Sequence, residues 1–192
     1  MTLSKIYTSI NNHLSNKAFL EKGYLPIYTV SATAKIVIIG QAPGRKAQET
    51  GIPWKDVSGD NLRAWLGINK ETFYDSSYLA LIPMDFYYPG KGKNGDLPPR
   101  KEFAPLWHKK ILELMPQVKL IILVGAYSQK YYLGTAMKAN LTETVRSHHD
   151  YLPTYFPLVH PSPLNGRWLA KNSWFTEETL PALQRAVRRI KK

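Results

Sequence analysis

The chain contains no cysteine, which excludes disulfides, iron-sulfur clusters and thiolate-bound zinc. Long apolar runs are missing too: the longest are of strand length, far short of a membrane-crossing helix. The N-terminus lacks the basic, then apolar, then small-residue order of a signal peptide. A soluble monomer of the cytoplasm or nucleoid, without membrane contact, is therefore expected. Acidic side chains are scarce, 14 against 26 Lys and Arg, leaving a formal charge of +12. That balance favours polyanionic partners, because cationic side chains that neutralise phosphates release condensed counterions.

The 192 residues show no internal repeat, heptad array or low-complexity tract, and their length suits one domain with its own core. Residues 1–30 read as a helical extension packed on it, with Ile6, Ile10, His13, Leu14 and Phe19 near helical spacing over 4–21. Apolar runs predict strands over 35–40, 78–83, 118–124 and 154–159. Between them, helices are expected over 59–67, 102–115 and 126–133, and another over 176–190 closes the chain. Strands alternating with helices predict a three-layer α/β/α domain around a central, largely parallel four-stranded sheet. Gly40, Asp85, Gly125 and His160 lie just past the predicted strand ends, where such sheets collect their ligands, so one shared cleft is expected. The stretch 84–101 predicts an irregular functional loop.

Positive charge gathers in two places. Lys91, Lys93, Arg100 and Lys101 surround the Gly/Pro-rich loop and are the better phosphate candidates. Arg185, Arg188, Arg189, Lys191 and Lys192 load the last helix and read as a solvated, dipole-compensating end. His148-His149-Asp150 has the residue types of a metal site but no third partner at ligand spacing, and it reads as a solvated loop. No metal site and no cofactor are expected. The turn Gly40 to Gly44 lacks the Lys-Ser/Thr of a P-loop and the glycine pattern of a dinucleotide site, which sets nucleotide hydrolysis aside.

Two motifs carry the most information. Lys35-Ile36-Val37-Ile38-Ile39-Gly40-Gln41-Ala42-Pro43-Gly44 is a buried strand ending in a tight turn that presents backbone N–H groups. His160-Pro161-Ser162-Pro163-Leu164-Asn165 sets an imidazole, a hydroxyl and a leucine on one rigid loop. The pair resembles the two signature motifs of the uracil-DNA glycosylase superfamily. Between them, Gly51-Ile52-Pro53-Trp54-Lys55-Asp56-Val57-Ser58-Gly59 is similar to the segment that places an aromatic ring against the extruded base in the bacterial and archaeal iron-sulfur branch. Pro89-Gly90 to Pro98-Pro99-Arg100 is similar to that branch's Pro/Gly/Arg loop, and Leu120 to Ala126 to its strand-turn-helix. The cluster cysteines are absent, so the loops must be held by packing.

The resemblance implies a monofunctional DNA N-glycosylase that flips out uracil or a related deaminated base, excises it and leaves an abasic site for base excision repair. Its partner would be lesion-containing DNA, double- or single-stranded. His160 would donate to the oxygen that gathers charge on the leaving base. Gly40, Ala42, Pro43, Gly44 and Trp54 would bind the base, Trp54 by stacking. Leu164 would be the wedge in the vacated stack. Ser58, Arg100, Ser128, Ser162, Pro163, Asn165 and Arg167 would contact the strand. Many members carry Asp or Asn where this chain has Ala42, a residue that positions or activates the attacking water. Gln41 can orient water without acting as a base, so Asp85 and Asp56 are the candidate carboxylates. The second strand, 78–83, has no Asn to read a uracil edge. A catalytically weak relative that only binds damaged or single-stranded DNA is the alternative reading.

Overall fold

A computed structural model describes residues 1–93 and 95–191. Strands β1 (Ile36–Gly40), β2 (Leu79–Pro83), the short pair β3 (Lys91–Gly92) and β4 (Gly95–Asp96), β5 (Leu120–Val124) and β6 (Tyr155–Leu158) follow one another along the chain. Four of them form one all-parallel sheet in the order β2-β1-β5-β6, with Gly40 opposite Pro83 and Val124 opposite Leu158. β3 and β4 make a separate antiparallel hairpin.

The two central strands are buried at every position because helices cover both faces, and this is why β1 and β5 are unbroken apolar runs rather than alternating ones. Alternation reappears in where the side chains go. Val37, Ile39, Ile82 and Leu123 pack with Ile6, Ile10, Phe103 and Ile111 on one face. Ile36, Ile38, Leu81 and Ile122 pack with Leu62, Leu66, Leu183 and Val187 on the other.

The N-terminal segment is not the single helix expected over 4–21. It breaks into Leu3–Asn11, a tight turn Leu14–Asn16 and Lys17–Leu20. The buried Asn16 amide donates to the Ile10 carbonyl, capping the first helix, while His13 Nδ1 accepts the Ser15 N–H and starts the next turn. The helix expected over 176–190 opens as a wider turn, Phe175–Thr179, before Leu180–Lys191, since Pro181 has no N–H to give the ladder. Four short helices escaped the sequence reading: Arg45–Thr50, Lys70–Tyr74, Leu141–Arg146 and Gly166–Lys171. Arg185, Arg188 and Arg189 are exposed as expected, and Lys192 lies outside the described residues. Among the described residues no helix is long and apolar enough to cross a membrane.

Behind the carboxyl end of β2 lies a buried histidine. His108 places Nε2 3.0 Å from the Pro83 carbonyl and Nδ1 2.7 Å from the Tyr132 hydroxyl. A carbonyl can only accept, so Nε2 carries the hydrogen and Nδ1 accepts from Tyr132. Burial pushes the His108 pKa from its usual 6.5 down to about 4, against a smaller upward pull from the Pro83 bond. The unfolded chain therefore takes up this proton first as the pH falls. The contribution to stability is complete above 6.5 and is lost progressively down to about 4, reaching roughly 3 kcal/mol. Thermal melts at neutral pH and near pH 4.5 should show the parent losing more stability than His108→Phe. Equal losses would remove His108 from the acid sensitivity.

Candidate functional site

The carboxyl ends of β1 and β2 and the loop after β6 open on one cleft, a cavity of about 480 Å³, whereas Gly125 at the end of β5, expected there too, lines no part of it. Its first wall is the turn after β1, where Gly40, Gln41, Ala42, Pro43 and Gly44 all face the cavity. The turn is tied to the chain after β2: the Met84 N–H donates to the Gly40 carbonyl (2.8 Å) and the Asp85 N–H to the Gln41 carbonyl (3.2 Å). The Gln41 amide nitrogen donates to the Leu97 carbonyl at 3.3 Å and so draws the β3-β4 hairpin to the cleft.

Trp54 forms the second wall from a left-handed backbone (φ 56°), a conformation a bulky side chain rarely adopts. Two neighbours hold it there. The Tyr74 hydroxyl donates to the Pro53 carbonyl at 3.0 Å, and Gly59 lies so close to the Trp54 carbonyl that a Cβ at 59 would stand 1.9 Å from that oxygen. The indole lies over Gly40, where an added Cβ would come within 2.9 Å of Cζ2, and stacks on His160 with ring centroids 5.7 Å apart and planes at 28°. Only a glycine at the end of β1 leaves room for this arrangement.

His160 follows β6 on a loop fixed by amides. Asn165 Nδ2 donates to the His160 carbonyl (2.7 Å) and Asn61 Nδ2 to the Pro161 carbonyl (2.9 Å). Burial lowers the His160 pKa, with Asp56 and Asp96 pulling it back up. The ring is therefore mostly neutral at neutral pH and carries one N–H to donate. Asp56 caps helix Val57–Leu66 by accepting the Gly59 N–H through Oδ1 (2.9 Å), and Oδ2 is the oxygen nearest Gly44. Ser58, in the first turn of that helix, also lines the cavity.

At the mouth, Ser162 Oγ accepts the Leu164 N–H at 3.2 Å and stiffens the turn Pro163–Asn165. This turn holds Leu164 out at 92% exposure, although apolar surface is held in water at a cost. Pro163 and Arg167 are exposed beside it.

Three expected site residues lie elsewhere. Asp85 is fully buried and lines no part of the cleft: its carboxylate accepts from Arg100 Nη2 and Nε (2.7 Å each) and from the backbone N–H groups of Arg100 (3.1 Å) and Tyr87 (3.2 Å). With its lone pairs taken, it has none left for a water. Arg100 is equally committed, donating through Nη1 to Asn16 Oδ1 (2.8 Å) and the Ser15 carbonyl (3.1 Å) over the Phe103 ring, so it is not free for a phosphate. The ion pair ties the two ends of the 84–101 stretch together, and the Arg100 Nη1 bonds, rather than packing alone, fasten it to the N-terminal segment. The Ser128 hydroxyl is buried and donates to the Val124 and Gly125 carbonyls, which removes it from any strand contact.

His148 stacks on Phe156, and Asp150 pairs with Lys138 (2.7 Å) and lies 3.1 Å from His149 Nε2, with no three-ligand metal group among the described residues. The sequence reading missed Asp96 on the hairpin and the apolar members Ile27, Ala47 and Leu81, which all line the cleft. Nothing in their spacing announces them, because the hairpin and residue 27 reach the cavity through tertiary pairing. A family model described as the Uracil DNA glycosylase superfamily matches residues 27–184.

Proposed function

The chain belongs to the uracil-DNA glycosylase superfamily, and on that footing we propose that its cleft hydrolyses the bond between deoxyribose and an extruded base, uracil or a related deaminated base, leaving an abasic site in DNA. The observation that carries this reading is the neutral His160 held at the end of β6, across one cavity from the Gln41 to Gly44 turn and stacked on Trp54.

As the C1′–N bond breaks, its electron pair leaves with the base and the sugar becomes oxocarbenium-like. The His160 N–H bonds to the carbonyl oxygen on which that charge gathers, and backbone N–H groups of the turn assist. Water adds its oxygen to C1′, keeps one hydrogen there and gives up the other, which finally restores the N–H of the released base. Ala42 brings no carboxylate and Asp85 is committed to Arg100. Asp56, fixed by its cap and facing the turn, is then the group that steadies the sugar and takes the water's proton. Gln41 orients the water, Trp54 stacks on the base, Leu164 fills the gap left in the duplex, and Ser58 and Ser162 meet the strand. The positive surface supplies unspecific attraction.

Labelled oligonucleotides carrying uracil, hypoxanthine, xanthine or a mismatched thymine, treated with protein and then alkali, test the proposal. Strand scission at the lesion is expected. Steeply salt-dependent binding without scission for every lesion would instead establish a DNA-binding relative. The stacking wall has its own test. Gly40→Ala should push the indole off its seat and weaken binding of lesion DNA by roughly 1 to 3 kcal/mol, the range for a base-aromatic stack. Unchanged tryptophan fluorescence and unchanged affinity would show that the indole needs no such seat.

A further inference from the structure

In an all-parallel sheet every strand runs the same way, so the residues that precede the strands share the end opposite the cleft, about 17 Å away for strands of five residues. A row of hydrogen bonds crosses that end. The Lys119 N–H donates to the Lys35 carbonyl (2.8 Å), the Lys35 N–H to the Tyr78 carbonyl (2.9 Å), and the Tyr78 hydroxyl to the Val187 carbonyl (3.2 Å), which sets Arg188 and Arg189 at the end of the row. Lys119, Arg188 and Arg189 are exposed and Lys35 is half-buried. Among the described residues none of these four cations pairs with a carboxylate. Asp75, the acid ahead of β2, spends Oδ1 on the Ser77 N–H (3.0 Å) and hydroxyl.

The carboxyl end of a helix attracts cations to its own last turn, which accounts for Arg188 and Arg189 in helix Leu180–Lys191. It does not account for the lysines. Lys35 and Lys119 stand one residue before Ile36 and Leu120, which are partners in the sheet register, so two like charges sit side by side at a cost. An anion laid along the row relieves that repulsion. The charges are strung along an edge rather than gathered in a cavity, which fits the spaced phosphates of a duplex backbone better than one small anion.

We infer that this edge is a second DNA-binding surface, which holds the phosphate backbone of a duplex segment other than the one in the cleft and lets the protein bridge two segments. The choice of DNA as the polyanion rests on the glycosylase reading, whereas binding at the edge needs no base release.

Analytical ultracentrifugation at low salt, with an excess of short unmodified duplex, counts the duplexes carried by each protein. The parent should carry two, and its second binding should weaken with salt at a log–log slope of about −3 to −4, for four phosphates met. Lys119→Glu/Arg188→Glu/Arg189→Glu, changed only at exposed positions, should carry one duplex and release base from a short lesion duplex at the parental single-turnover rate. Circular dichroism checks that this variant folds, and Arg188→Gln/Arg189→Gln, with a weakened second binding, serves in its place if it does not. A parent that carries one duplex, a folded variant that still carries two or releases base more slowly, or an edge that takes poly-glutamate but no second duplex overturns the inference. Two duplexes on the parent and one on the variant, with no base released from any lesion, overturns the glycosylase reading instead and leaves this surface standing.

Discussion

His160→Ala should slow base release by about 10²- to 10³-fold, the loss seen when one preorganised donor to a developing oxyanion is removed. The imidazole is buried enough to be mostly neutral, so its N–H is present before the reaction and needs no reorganisation as charge moves onto the leaving base. Truncation removes that N–H but leaves the loop, since the Asn165 and Asn61 bonds go to backbone carbonyls and not to the ring. Lesion affinity should therefore fall much less than the rate. His160→Gln, which restores a donor of different reach, should recover part of the rate. Equal single-turnover rates for parent and His160→Ala would take the imidazole out of the chemistry.

The second large effect is on stability. Asp85→Asn keeps the shape of the side chain but leaves Arg100 facing a neutral amide, among groups arranged for a carboxylate. Breaking a buried pair from one side costs roughly 3 to 5 kcal/mol, and the lower end is expected because Arg100 retains 23% exposure. The urea midpoint should drop accordingly, while the rate per folded molecule stays near the parental value. Asp56→Asn should do the reverse, losing rate with a smaller effect on folding, since an amide oxygen still caps Gly59. A fully stable Asp85→Asn protein that releases no base would return Asp85 to the reaction.

Much of the scaffold was legible because its signals are local. β1 and β5 are apolar runs of strand length, and Gly125 marks the start of helix Ala126–Leu133 at the expected residue. Gly67, with φ 65°, ends helix Val57–Leu66 where the pattern said it should. The short helices had too few turns to show a period. The walls of the cleft were legible for a related reason: the Gly40 to Gly44 turn and the His160 loop are each contiguous, and glycine and proline fix their geometry. What stayed hidden depends on residues far apart in the chain. Asp85 was read as a cleft carboxylate and Arg100 as a strand contact, since each follows a strand or a loop of the right kind, yet they meet each other, and Arg100 meets Asn16 as well. Ser128 was read as a strand contact, but at the start of a helix packed on β5 its hydroxyl turns back to the preceding carbonyls.

The most direct measurement is mass spectrometry of the products when excess protein meets a duplex with one lesion base, for parent and His160→Ala side by side. If the cleft acts as a monofunctional glycosylase, the parent yields free base and an unbroken strand with an abasic site in equal amounts, and His160→Ala yields both far more slowly. Intact duplex after long incubation with the parent, for every lesion base, would contradict it.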